Sequence, residues 1–125
     1  MKTPQEIFDT TLFHLRNQGV AAMSIYSGYG DLDEIDQLRC AYRGEGGTMC
    51  AVGCHIPDRL YSPTLEGMRV EDLPMLRDLG LSDSKDLLTE LQHLHDGTLE
   101  RKGLQAWEEG MKKLATLYGL VYKPA

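Results

Sequence analysis

The sequence contains no apolar run near the ~18 residues that a membrane-spanning helix needs, so no membrane partner is expected. Its start, MKTPQEIFDTT, lacks the apolar core of a secretory signal, which makes cytosolic residence the expectation. Basic charge is short: 13 Lys and Arg stand against 19 Asp and Glu, for a net charge of -6. General nucleic-acid binding rests on neutralising phosphates, and this balance opposes it. The three cysteines are an odd count, which argues against a disulfide framework, and in a reducing compartment they stay as thiols. No P-loop, G-x-G-x-x-G, G-x-S-x-G or H-E-x-x-H pattern occurs, so the motif-borne nucleotide, hydrolase and zinc-protease chemistries have no foothold, and no cofactor is expected.

What is present reads as one globular domain spanning residues 1–125, at 42% hydrophobic and 26% charged. A chain of this size buries one core without covalent staples. No repeat, linker or low-complexity tract divides it. The densest acidic stretch, DLDEID from Asp31 to Asp36, reads as a solvated loop. A calcium loop would place an oxygen ligand and then glycine where this stretch has Ile35 and Asp36.

Helix signals dominate the two ends. Thr3, Pro4 and Glu6 spell a capping box with proline at the first helical position. Phe8, Leu12 and Leu15 then recur at helical spacing with Ile7 beside them, and Gly19 supplies a left-handed stop. A short helix is expected from Asp72 to Leu79. Another, capped by Ser82 or Ser84, carries Leu87, Leu91 and Leu94 and ends at Gly97. A last helix runs from a Thr98 cap through Leu104, Trp107, Met111, Leu114 and Tyr118 to Gly119, with Gly103 and Gly110 weakening it internally. In the middle, Leu38, Cys40 and Tyr42 alternate with polar neighbours and predict a short strand. VAAMSIY fits a strand or a helix equally, and LVYK adds a final extended segment. The fold class is therefore α+β: mainly helical, four or five helices, with a small central β element.

The stretch RCAYRGEGGTMCAVGCHIPD, Arg39 to Asp58, holds every cysteine. A zinc site would draw on Cys40, Cys50 and Cys54, with His55 or a remote His93 or His95. On a helix, however, His55 turns about 100° away from Cys54. A reactive Cys50 at a helix start, near Arg39 and Arg43, is a second reading; it needs an oriented base that no histidine spacing singles out. The third reading is scaffold: Cys50, Ala51, Gly53 and Cys54 are small and let a helix pack closely on the strand it has just left. The residues favour this third reading, and no bound metal is expected.

The pattern C-x-Y-R-G-x-x-G-x-x-C-A-V-G-C-x-I-P-D resembles a family of small proteins from tailed phages and prophages. Here it is carried by Cys40, Tyr42, Arg43, Gly44, Gly47, Cys50, Ala51, Val52, Gly53, Cys54, Ile56, Pro57 and Asp58, followed by Tyr61, Glu66 and Gly67 and later by Gln92, His95 and Asp96. The resemblance implies a phage or prophage origin and expression in a bacterial cytoplasm, and implies no activity. Three functions remain in competition. The first is a non-enzymatic accessory protein that binds a host protein or complex. The second is a pocket protein that sequesters a small anionic, nucleotide-like ligand through Arg39, Tyr42, Arg43, Arg59 and Tyr61. The third is a small thiol- or metal-dependent enzyme.

Overall fold

The computed structural model describes residues 1–26 and 37–125, and the side chains of all of these but 25, 26 and 37–39. The acidic stretch Asp31–Asp36 and the side chain of Arg39 therefore lie outside the described residues.

Helix α1 spans Pro4–Gln18. Its start is the expected capping box: the Glu6 N–H donates to Thr3 Oγ1, and the Thr3 N–H donates to Glu6 Oε1. Gly19 ends it at φ 77°, a left-handed conformation that glycine adopts without steric cost. The chain then forms β1, Met23–Tyr26, which pairs antiparallel with β2, Gln37–Cys40, placing Met23 opposite Cys40. VAAMSIY thus resolves as a strand. The strand expected to reach Tyr42 ends at Cys40, because Ala41 and Tyr42 are both buried and the alternation of faces is lost there.

From residue 41 to 84 the chain is a succession of tight turns and one-turn 3-10 helices. The helix expected within TMCAVGC is only the 3-10 turn Gly53–His55. The helix expected from Asp72 to Leu79 is a 3-10 turn, Val70–Asp72, followed by further turns. Buried apolar residues here come in short consecutive runs, such as Cys50–Val52 and Met75–Leu76, and no amphipathic stripe is long enough to stabilise a helix by packing.

Helix α2, Lys85–Leu94, begins after Ser84. Gly97 does not end it. The chain continues through a π turn, His95–Leu99, into the short α3, Glu100–Lys102. The wide turn is visible in its bond: the Glu100 N–H donates to His95 C=O, five residues back. The break falls instead at Gly103, whose φ of 94° no other residue tolerates easily, and α4 runs Leu104–Tyr118. The last helix thus starts at Leu104, not at Thr98.

The core lies where α1, α2 and α4 meet. Phe8, Leu12 and Leu15 of α1, Leu88 and Leu91 of α2, and Trp107 and Met111 of α4 are all fully buried. The C-terminal residues form no strand but are tied to α1: Gln5 and Val121 exchange two hydrogen bonds of 2.9 Å. Arg16 grips Glu108 with two donors, at 2.7 and 2.9 Å, while Tyr122 donates to the same carboxylate. The chain is mainly helical, and among the described residues no helix is long and apolar enough to cross a membrane.

Candidate functional site

β2 delivers Cys40 to one wall of a cleft of about 270 Å³. Ala41 and Tyr42 continue that wall, the turn Glu66–Glu71 forms a second, and Thr89, Gln92, His93 and Asp96 on the outer side of α2 and its π turn form a third. Three segments far apart in sequence therefore converge, and two carboxylates bind them together.

Glu66 is the first. Its Oε1 accepts the Tyr42 N–H at 2.8 Å; its Oε2 accepts the Arg43 N–H at 3.1 Å and the Tyr61 hydroxyl at 2.6 Å. Tyr61 is pushed upward by burial and by the hydrogen bond to that carboxylate, so it stays a donor. Tyr42, also shifted up by burial, donates its hydroxyl to Met68 C=O.

Asp96 is the second. Its Oδ1 accepts from His95 Nδ1 at 2.7 Å and from Gln92 Nε2 at 2.8 Å. Gln92 in turn accepts the Val52 N–H at 3.2 Å, joining the cleft wall to the cysteine segment. His95, fully buried behind the wall, receives the Ala22 N–H on Nε2 at 2.9 Å. That contact fixes the tautomer. A nitrogen that accepts a backbone N–H must carry a lone pair, so the proton sits on Nδ1 and points at Asp96.

The donors for metal chemistry must be judged with this in view. Sγ of Cys40, an imidazole nitrogen of His95 and a carboxylate oxygen of Asp96 lie within 4.8 Å of one another. A metal on Nδ1 would require a proton on Nε2, and that proton would face the Ala22 N–H, donor against donor. The set does not fit a metal on these terms. Nor does it make a nucleophile with a base, since both imidazole nitrogens are committed. Burial first, then the Asp96 charge, pushes the Cys40 thiol up to about 12.

The other cysteines sit elsewhere. Cys50 is fully buried, and its sulfur accepts the Gly53 N–H at 3.1 Å. Cys54 donates to Ala51 C=O, and burial raises its thiol to about 12. Among the described residues, Cys40 groups with His95 and Asp96 and not with Cys50 and Cys54. Gly53 explains the density of small residues. A Cβ there would run into the carbonyl of Tyr42, so the turn lies directly on the backbone that leaves β2.

The residues proposed for an anionic ligand do not form one lining. Tyr42 borders the cleft. Arg43 stacks on the Tyr61 ring at 4.9 Å and is held by Asp58 and by Ile56 C=O. Arg59 is exposed on a separate turn. The residues that the spacing arguments passed over are Glu66, Gln92 and Asp96. All three stand in the phage-like pattern, and spacing itself offered a signal for two of them: Gln92 and Asp96 stand four apart and so share a helical face.

Comparison with known families, with curated proteins and with solved structures finds no match to this chain.

Proposed function

We infer that the chain is a non-enzymatic binding module whose cleft receives a basic side chain from a protein partner. One observation carries this reading: among the described residues, Glu66, Glu71 and Asp96 line the cleft against a single arginine, Arg69, which already pairs with Asp72 at 3.1 Å and lies 3.7 Å from Glu71. Such a wall attracts an ammonium or guanidinium group and repels phosphate. The groups able to do covalent chemistry support the non-enzymatic half, since the Cys40 thiol is held protonated and His95 has no free nitrogen.

Within this reading the hairpin of β1 and β2 is the central β element of a small α+β domain with four or five helices, and its role is to carry Cys40 and Tyr42 to the cleft. The phage pattern belongs to the same proposal. Cys40, Tyr42, Glu66, Gly67, Gln92 and Asp96, all part of that pattern, border one cavity, and His95 lies behind it. A phage accessory protein acting on a host protein in the bacterial cytoplasm is the setting it suggests.

The test is a titration followed by amide NMR. Capped lysine and arginine amides should shift Gly67, Thr89 and Asp96 in a saturable manner, and AMP should not. Saturable shifts with AMP instead would overturn the reading in favour of an anion-sequestering pocket. Turnover of any added substrate that is lost in Cys40→Ser would overturn it in favour of an enzyme.

A further inference from the structure

His95 opens the π turn after α2, and each nitrogen of its ring is bonded. Nδ1–H donates to Asp96 Oδ1 at 2.7 Å, and Nε2 accepts the Ala22 N–H at 2.9 Å. Side chains one residue apart on a regular α-helix point about 100° away from each other, so a helix does not offer such a bond between neighbours by default. Here it forms at the first residue of the π turn, His95–Leu99, and turns of this kind are frequent at functional sites. Ala22 sits at the foot of the hairpin, where its C=O accepts the Ala41 N–H at 3.0 Å. Ala41 lines the cleft, and so does Asp96. One imidazole therefore joins the wall built by the hairpin to the wall built by α2.

We propose that His95 is a positioning residue: held in one tautomer by the hairpin amide, it keeps Asp96 in the single rotamer that presents its carboxylate to the cleft. This rests on the reading of the cleft as a receptor for a basic group. The Asp96 side chain is 42% exposed, and a side chain that wet is free to change rotamer unless neighbours hold it. Two neighbours do, His95 and Gln92, and both donate to the same oxygen, Oδ1. The carboxylate is thus oriented before a partner arrives, which removes an ordering cost from binding. The tautomer decides whether His95 can donate at all. With the proton on Nε2, Nδ1 would face the carboxylate with a lone pair and repel it. The Ala22 N–H excludes that state, because it requires the lone pair on Nε2. Filling the core does not account for the arrangement: His95 is fully buried, but an apolar side chain of its size would fill that space without touching Asp96.

Two substitutions divide the ring between them. Asn places an amide N–H near the position of Nδ1 and reaches no further; Gln places an amide oxygen near the position of Nε2 and passes Asp96 by. In His95→Asn, Asp96 should keep the three-bond couplings of one χ1 rotamer while the Ala22 amide exchanges faster with deuterium. In His95→Gln, the Ala22 amide should keep its protection while the Asp96 couplings move toward the rotamer average. Capped lysine amide should bind His95→Gln ~3–10-fold more weakly than the wild type, the range expected when one side chain must be ordered on binding. His95→Asn should recover most of that loss, a pattern that lost packing alone does not produce. In the wild type, long-range nitrogen–proton spectra of the ring should show the proton on Nδ1, a readout that needs no variant to fold. A ring proton on Nε2, Asp96 couplings unchanged in His95→Gln, or equal lysine-amide affinity in His95→Gln and the wild type would each overturn the proposal. If lysine amide does not bind the wild type, the receptor reading of the cleft falls, and the Asp96 couplings alone decide whether His95 positions that carboxylate.

Discussion

At the scale of single residues, space and protonation give the sharpest consequences. Gly53 has an ordinary backbone conformation, so its requirement is purely steric: the carbonyl of Tyr42 occupies the place of a Cβ. Even Gly53→Ala should cost more than about 2 kcal/mol, and Gly53→Leu should prevent stable folding, because backbone cannot yield as a side-chain tip can. Cys50→Ala removes only a sulfur and should cost about 1–2 kcal/mol. Urea midpoints of the three variants give the order. His55 supplies a pH dependence. Burial first lowers its pKa to about 4, and its Nε2 lies 2.9 Å from Thr11 Oγ1. The unfolded chain, near 6.5, takes up this proton before the fold does. Stability attributable to His55 is therefore intact above pH 6.5 and falls as pH drops towards 4, by about 3 kcal/mol. Unfolding free energies at pH 7 and pH 4.5 should differ less in His55→Gln than in the wild type. Added zinc should leave the unfolding temperature unchanged, and metal analysis should return well under one zinc per chain, because the one lone pair of the His95 ring, on Nε2, is already committed to the Ala22 amide.

Among the elements, α1 was the most legible in the sequence. Cap, first-turn proline, apolar stripe and terminal glycine are all local signals, and each appears where its residue stands. The boundary between α2 and α4 was not legible. Gly97 and Gly103 look alike in sequence, yet one lies within a π turn and the other makes the break. The difference comes from afar: His95 must be held inward to receive the amide of Ala22, 73 residues away, and no periodicity reports a bond of that span. Helix α4 ties the elements together through Trp107, which is fully buried. Trp107→Ala loses transfer free energy and leaves a cavity, so it should destabilise by roughly 3–5 kcal/mol, measured as a shift in urea midpoint at constant slope.

For the molecule as a whole, the long stretch with little regular structure raises an accounting question: where do its backbone amides find partners? Several find them on side chains. Tyr42 and Arg43 donate to Glu66, Met49 to Gln18 and Val52 to Gln92, and outside that stretch, just before β1, Ala22 donates to His95. Composition and spacing cannot show this, which is why they single out the cysteine segment, while Glu66 and Gln92 enter only as positions of the phage-like pattern, with no role attached. Here side chains complete a hydrogen-bond set that a larger sheet would supply through its ladders, and a substitution at one of them orphans an amide elsewhere, at about 1–3 kcal/mol where that amide is buried. The consequence is visible to deuterium. In Glu66→Ala the amides of Tyr42 and Arg43 should exchange faster while those within α1 and α4 keep their rates; uniform acceleration across the chain would mean that Glu66 acts only through global stability. Protection at these five amides is thus an isotopic record of polar side chains, read out on backbone that has little secondary structure of its own.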